Sequence, residues 1–349
     1  MPKRATIVLA GGSARRFQTH NKPWQDKALA ELHGKSLLVH VIQGLRDIVD
    51  EVAVCINTKD RQTTYAKALE PYDVGDVKFV LDQENSPVKG PLLAIQSGLE
   101  AVSAPYCLTI PVDMPFLKPE VAYYMFNAVT GFDVAVPMWP DGKLETLMAV
   151  LKRETCLEIT KTLLSLNESR ANTIFRGASS LLLVSPLKEI KKLDPDLKSF
   201  ININTQEDLN ILPTRSTRGT NKENQLMERE VGFSSLHVLR KGQNALKSRS
   251  YSEAVQAFTE CATKFGDAPF WAGVSNQKIG ETILAEAGLN SPTKDSALAK
   301  KHAKQCFILA AKNFENEAKL YEKKKCKTLA ERALTDKKAC KTKAENVDS

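Results

Sequence analysis

From Thr6 to about Leu212 the chain alternates short apolar runs with amphipathic stretches of helical length, and this alternation admits few folds. The runs Thr6–Ala10, Val52–Asn57, Val77–Leu81, Tyr106–Pro111, Asp133–Pro137 and Leu147–Leu151 read as strands. Ser36–Val49, Asp60–Glu70, Pro91–Ser103, Pro119–Thr130 and Thr155–Asn167 read as the helices between them. Ser36 and Asp60 suit N-caps, and Pro91 and Pro119 suit first turns. Strands and helices at this spacing predict βαβ units, hence an α/β fold with a doubly wound, Rossmann-like, mostly parallel sheet covered on both faces. Such sheets bind ligands at the carboxyl ends of their strands, so the residues following each run are the candidates for a site.

After the first run comes Gly11-Gly12, then Ser13-Ala14-Arg15-Arg16-Phe17. Glycines there put no side chain between loop amides and a ligand and open backbone angles closed to other residues, and the arginines add charge for phosphate. The same residues also fit a plain tight turn. After the second run comes Asn57, after the third Asp82 and then Lys89-Gly90-Pro91, and after the fourth Asp113-Met114-Pro115. Asp113, one residue past a buried strand and stiffened by Pro115, is placed to hold Mg²⁺, which takes few protein carboxylates and fills its shell with water and substrate phosphates. It is equally placed to cap the helix at Pro119. Lys27 reads alone as a solvated lysine, Asp82 as the opening of a turn and Asn57 as a strand end. Their convergence on one sheet edge is what points to a site.

The motifs have a familiar order. Leu9-Ala10-Gly11-Gly12, Arg16-Phe17 and Asp26-Lys27-Ala28 are followed by Gly90-Pro91-Leu92, Asp113-Met114-Pro115 and Asn202-Ile203-Asn204-Thr205-Gln206-Glu207-Asp208-Leu209. Over about residues 5–212 this series resembles the molybdenum cofactor guanylyltransferases, of the nucleotide-diphospho-sugar-transferase-like fold. The resemblance implies transfer of GMP from GTP to the terminal phosphate of molybdopterin, with release of pyrophosphate. It implies Arg16, Lys27 and Asp113 as catalytic groups, with Mg²⁺ on Asp113. It further implies Leu9, Ala10 and Gly11 against the guanine nucleotide, Gly12 and Lys27 at phosphate, and Asn57 and Asp82 at base and ribose. Asn202 and Asn204 would lie towards the acceptor, although that segment also reads as an N-cap at Thr205 with acidic residues in the first turn. Leu-Ala-Gly-Gly favours GTP, since Leu-Ala-Ala-Gly accompanies CTP in the family.

Two departures stand out. Gln18–Gln25 intervenes before Asp26, so this insertion must loop out if Lys27 is to reach phosphate. In the acceptor-side stretch Asp141–Leu147, Thr146 stands where the family commonly has Pro. A sugar 1-phosphate or cobinamide phosphate as acceptor, or nucleotide binding without turnover, therefore stay open beside the leading reading.

Pro213–Asn224 is nearly devoid of apolar residues and reads as a linker between a nucleotidyltransferase unit, 1–212, and a helical unit, 225–349. Helices are expected near Ser234–Lys247, Tyr251–Phe265, Ala268–Ala287, Asp295–Lys324 and Lys327–Lys343. Gly242, Tyr251, Ala254 and Phe258 fall at the offsets of one tetratricopeptide-like hairpin, without a second repeat. Of the net charge of +8, nearly all lies beyond Gln225, with 22 Lys and Arg against 15 Asp and Glu. Aromatic residues are nearly absent from the basic stretch Lys319–Lys343, so a solvated face or a protein partner is expected there rather than nucleic acid. The seven cysteines are scattered without a C-x-x-C pair, which speaks against disulfides and zinc. No apolar run approaches a membrane span or a signal sequence, and a cytoplasmic location is the expectation.

Overall fold

A computed structural model describes residues 3–12, 14–18, 23–82, 86–211, 223–288 and 294–347. The centre of the insertion, 19–22, and most of the expected linker, 212–222, lie outside the described residues.

The strands are β1 (Arg4–Leu9), β2 (Glu31–Leu32), β3 (Lys35–Ser36), β4 (Glu51–Ile56), β5 (Val77–Leu81), β6 (Tyr106–Pro111), β7 (Val134–Pro137), β8 (Ala149–Lys152), β9 (Ser180–Val184) and β10 (Gln225–Glu228). All but the β2–β3 hairpin form an eight-stranded sheet in the order β10-β9-β7-β8-β6-β1-β4-β5. β5, β4, β1 and β6 are parallel, as are β7 and β9, whereas β8 and β10 are antiparallel to their neighbours. The mostly parallel doubly wound sheet is thus present. The run expected at Leu147–Leu151 starts at Ala149 and runs antiparallel, and β9 and β10 lie beyond the expected strands. β10 has only four residues, one of them buried, too little patterning to announce a strand.

β1, β4 and β6 are buried almost throughout, as central parallel strands covered on both faces must be. One face carries α1 (Leu37–Leu45), α2 (Lys59–Leu69) and α4 (Pro119–Ala128), packed on Val8, Val52, Val54 and Ile110. The other carries α3 (Pro91–Ala101), α5 (Arg153–Ser165) and α6 (Thr173–Gly177), packed on Ala5, Ile7, Ala53 and Cys55. α3 approaches so closely that a Cβ on Gly98 would lie 2.4 Å from Ile7. Ser36 caps α1, accepting from the Val39 amide, but the N-cap of α2 is Thr58 rather than Asp60.

The C-terminal helices are α7 (Phe233–Lys247), α8 (Tyr251–Lys264), α9 (Pro269–Ala287), α10 (Lys294–Lys323) and α11 (Lys327–Asn346). α7 packs on α8 where Gly242 meets Phe258, whose ring would lie 2.8 Å from a Cβ on that glycine. These helices share one apolar core with α3, α5 and α6. Trp271 is wholly buried against Gly177 and donates its indole N–H to that residue's carbonyl at 3.0 Å. Arg176, also wholly buried, forms a two-pronged pair with Glu317 at 2.6 and 2.7 Å and reaches Asp336 at 2.6 Å, with the Phe270 ring 4.4 Å away. All seven cysteines are free and buried. Among the described residues no helix is long and apolar enough to cross a membrane.

Candidate active site

The strand order reverses between β1 and β6, and the carboxyl ends of these strands flank a crevice, as expected at such a switch point. A cavity of about 610 Å³ opens there. Leu9, Ala10, Gly11 and Gly12 from the loop after β1 line it, with Asn57 after β4, Asp82 and Lys89 after β5, Asp113 after β6, and Lys27. Leu147, just ahead of β8, closes the far side.

Neither Gly11 nor Gly12 adopts positive φ; in this loop it is Ala14, at φ 45°, that does. What Gly11 contributes is the absence of a side chain. A Cβ there would sit 3.5–3.7 Å from Asn57 and from Asp82 Oδ2, ordinary contact that fits the fold but occupies the cavity.

The insertion is pinched off at its base. Gln18 Nε2 donates to the Gln25 carbonyl at 2.9 Å, and the Gln25 amide donates to Gln18 Oε1 at 2.9 Å. Asp26 then accepts from the Ala28 amide and starts a short 3₁₀ turn, Lys27–Leu29. That turn aims Lys27, its side chain only 12% exposed, at the cavity floor. Lys27 Nζ donates to Asp113 Oδ2 at 2.7 Å and to Asn204 Oδ1 at 3.2 Å. Asp113 does not cap α4, whose N-cap is Lys118 with no side-chain bond. Its second oxygen, Oδ1, is buried without a hydrogen-bond partner, and so is Asp82 Oδ1. Burial pushes the Asp82 carboxyl up to about 6, with Lys89 pulling the other way.

The Asn202–Asn204 segment is tied to the same floor, since the Ile203 amide donates to the Asp113 carbonyl at 2.9 Å. Asp208 accepts from the Asn204 and Thr205 amides, and Thr205 accepts from the Asp208 amide, but the N-cap of the short 3₁₀ turn Glu207–Leu209 is Gln206 rather than the expected Thr205. Asn204 reaches the cavity's edge through Lys27. Asn202 donates to the Phe200 carbonyl at 3.4 Å, and Arg16 is exposed on the 3₁₀ turn Arg15–Phe17; neither lines the cavity.

Arg61 is the residue that sequence reasoning passed over. It lies buried in α2 and donates to the Ala10 and Gly12 carbonyls at 3.0 and 3.2 Å and to Asn57 Oδ1 at 2.9 Å. Its Nε pairs with Asp26 at 2.9 Å, and Tyr65 donates its hydroxyl to the same carboxylate. One guanidinium therefore joins the loop, the Asn57 side chain and the base of the Lys27 turn. The available signal was its spacing, because Arg61 shares the buried α2 stripe with Tyr65 and Leu69, where a charge needs a partner.

Chemically, the cavity offers an ammonium for phosphate, and carboxylates for ligand donors or a cation. Among the described residues no group of three or more His, Cys, Asp or Glu converges. The orphaned buried oxygen of Asp113 is a donor that fits a divalent cation completing its shell from substrate oxygens and water better than a metal caged by protein.

Known proteins share the first part of this chain. The profile described as the MobA-like NTP transferase domain matches residues 6–181. A probable molybdenum cofactor guanylyltransferase from Methanosarcina acetivorans is 33% identical over 207 residues, 59% of this chain and 88% of that protein. The molybdenum cofactor guanylyltransferase of Desulfosudis oleivorans is 31% identical over 206 residues, 58% of this chain and 91% of that one. Among solved structures, molybdopterin-guanine dinucleotide biosynthesis protein A from Archaeoglobus fulgidus superposes with a TM-score of 0.48 at 21% identity, covering 59% of this chain and 95% of that chain.

Proposed function

The chain belongs to the MobA-like NTP transferase family and is a nucleotidyltransferase, and on that premise we propose that it transfers GMP from GTP to the terminal phosphate of molybdopterin. The observation that carries this reading is the Lys27–Asp113 pair, 2.7 Å apart on the floor of a cavity walled by Leu9–Gly12, Asn57 and Asp82. A nucleotide lying along that wall has its base and ribose by Asn57 and Asp82 and its phosphates by Gly12 and Lys27. Leu9, Ala10 and Gly11 border the guanine, and the bare Gly11 backbone leaves room for the larger base. Asn202 and Asn204 belong to the acceptor side. In this reading Lys89, which lines the cavity, supplies the further positive charge assigned from sequence to Arg16.

The acceptor phosphate attacks the α-phosphorus of GTP, and pyrophosphate leaves. That phosphate is already an anion, so the attack needs no general base. The obstacle is bringing two polyanions together, and the Lys27 ammonium at the cavity floor lowers it by offsetting the charge that builds on the leaving oxygens. Removing one such preorganised donor typically slows an enzyme by about 10²–10³-fold. Mg²⁺, for which Asp113 is the proposed ligand, would screen the phosphates and polarise the reacting centre.

The test is pyrophosphate release by the full chain with Mg²⁺, pairing GTP, CTP or ATP with molybdopterin, a sugar 1-phosphate or cobinamide phosphate. Release with GTP and molybdopterin alone is expected. Preference for another acceptor overturns the molybdopterin assignment, and tight GTP binding without turnover on any acceptor overturns the enzyme. Asp113→Asn, which keeps an oxygen for the Lys27 ammonium, is expected to lose at least about 100-fold in turnover while the chain still folds; near-wild-type turnover would remove Asp113 from the metal.

A further inference from the structure

The last strands of the sheet carry a contact that the nucleotide wall does not explain. Beyond β7 the chain folds into a small hairpin, with Met138 bridged to Leu144, the Trp139 amide donating to the Lys143 carbonyl and the Gly142 amide donating to the Trp139 carbonyl. Its outgoing arm reaches Leu147, the residue closing the cavity on the β6–β8 side. Its tip is held by the helical unit. The Thr328 amide, in the first turn of α11, donates to the Gly142 carbonyl at 3.2 Å, and Thr328 Oγ1 accepts from the Leu144 amide at 3.1 Å. Gly142 stands at φ +80°, and a Cβ there would lie 2.2 Å from the Lys325 carbonyl oxygen, so the tip is seated backbone to backbone. The grip itself is firm: Cys326 and Leu329 on either side of Thr328 are wholly buried in the shared core, and the Cys326 amide closes the turn on the Tyr321 carbonyl. At its base the hairpin turns towards the catalytic floor, since Trp139 packs edge-on against Phe200 with centroids 5.1 Å apart, two residues before Asn202.

We infer that the α10–α11 turn positions the cavity wall at Leu147 for the phosphate acceptor, with Thr328 as the positioning residue. The topology separates the two substrates. The residues proposed for the nucleotide follow β1, β4 and β5, whereas the hairpin follows β7 and leads into β8, on the opposite side of the switch point. An anionic acceptor that approaches Asp113 from the β6–β8 side meets Leu147, and Leu147 sits where Thr328 and Gly142 hold it. The helical unit then serves the reaction as part of the acceptor site. This inference rests on the proposed transferase activity, and the experiment separates the two.

Full-chain kinetics would vary GTP and molybdopterin independently for wild type, Thr328→Val, Thr328→Ser and Gly142→Ala. Thr328→Val keeps the shape and the amide bond but removes the acceptor for the Leu144 N–H. It is expected to raise the KM for molybdopterin about five- to tenfold, the worth of one partly buried hydrogen bond, while KM and Kd for GTP stay within twofold. Thr328→Ser restores the wild-type value, and Gly142→Ala shifts it further in the same direction. A molybdopterin KM within twofold of wild type in Thr328→Val, or an equal rise in both KM values, overturns the inference. If another acceptor supports turnover, the same ratios are read on that acceptor and only the molybdopterin assignment fails. If none does, hydrogen exchange decides: faster exchange at Leu144–Met148 in Thr328→Val, with the Leu9–Gly12 amides unchanged, supports the inference, and unchanged exchange at Leu144–Met148 overturns it.

Discussion

At Gly11 a single missing methyl separates a site open to a purine from one partly filled. Because a Cβ fits beside Asn57 and Asp82 at ordinary contact distance, Gly11→Ala is expected to leave the melting temperature nearly unchanged. The methyl narrows the cavity, so kcat/KM for GTP should fall about 10–100-fold while that for CTP falls less, which competition kinetics would read directly. Asp82 gives a pH signature. Its carboxyl titrates near 6 in the folded chain because burial disfavours the anion. The folded state then holds a proton that the unfolded chain releases at lower pH, so ionised Asp82 opposes folding above about pH 6, and the cost disappears below its ordinary value near 4. Asp82→Asn should therefore raise the melting temperature at pH 7.5 and not at pH 4. GTP affinity should weaken in wild type as pH falls through 6, because the neutral carboxyl loses acceptor strength, and isothermal titration with Asp82→Asn should show no such slope.

At the scale of elements, strands and loops meet through Arg61. Breaking a buried ion pair typically costs about 3–5 kcal/mol, since the remaining charge stays desolvated. Arg61→Met leaves Asp26 in that state and frees the Ala10–Gly12 loop at once, so urea denaturation should show a loss of that order together with lost GTP binding. Arg61→Lys should not restore binding, because one ammonium cannot span two carbonyls, Asn57 and Asp26. The parallel core strands and the turns after them were legible beforehand, as buried strands form unbroken apolar runs and their followers are small or polar. Arg61 was not, because a charged residue in a mostly polar helix looks solvated until the loop packed above it is known. Nor was the antiparallel sense of β8, for an apolar run carries no direction. Asp113 was legible only as one of two alternatives; the structure removes the helix cap, since Lys118 is the N-cap there, and pairs Asp113 with the Lys27 ammonium, 86 residues away in sequence.

Across the whole molecule, one core runs from β1 and β4 through α3 and α5 into α8, α9 and α10. Arg176 lies beside this core, a fully buried charge balanced by Glu317 and Asp336. Arg176→Met strands Glu317 and should cost about 3–5 kcal/mol, whereas Arg176→Met with Glu317→Leu should recover most of the loss. Because Trp271 is wedged on Gly177 and Trp139 lies in the hairpin, their fluorescence should change in a single coincident unfolding transition. Two separate transitions would mean that the units from 1 to 212 and from 225 to 349 fold independently.

The reciprocal Gln18–Gln25 clasp also bears on how such a chain changes over time. Because Gln18 and Gln25 close on each other, the chain re-enters Asp26 and Lys27 from one fixed point, while Gln18 also holds the Ala14 carbonyl and Trp24 lies over the Arg61 guanidinium at 5.3 Å. Changes of length between the two glutamines that keep Gln18, Trp24 and Gln25 are therefore expected to be close to neutral, so new sequence, natural or grafted as a reporter, can enter between Gln18 and Trp24.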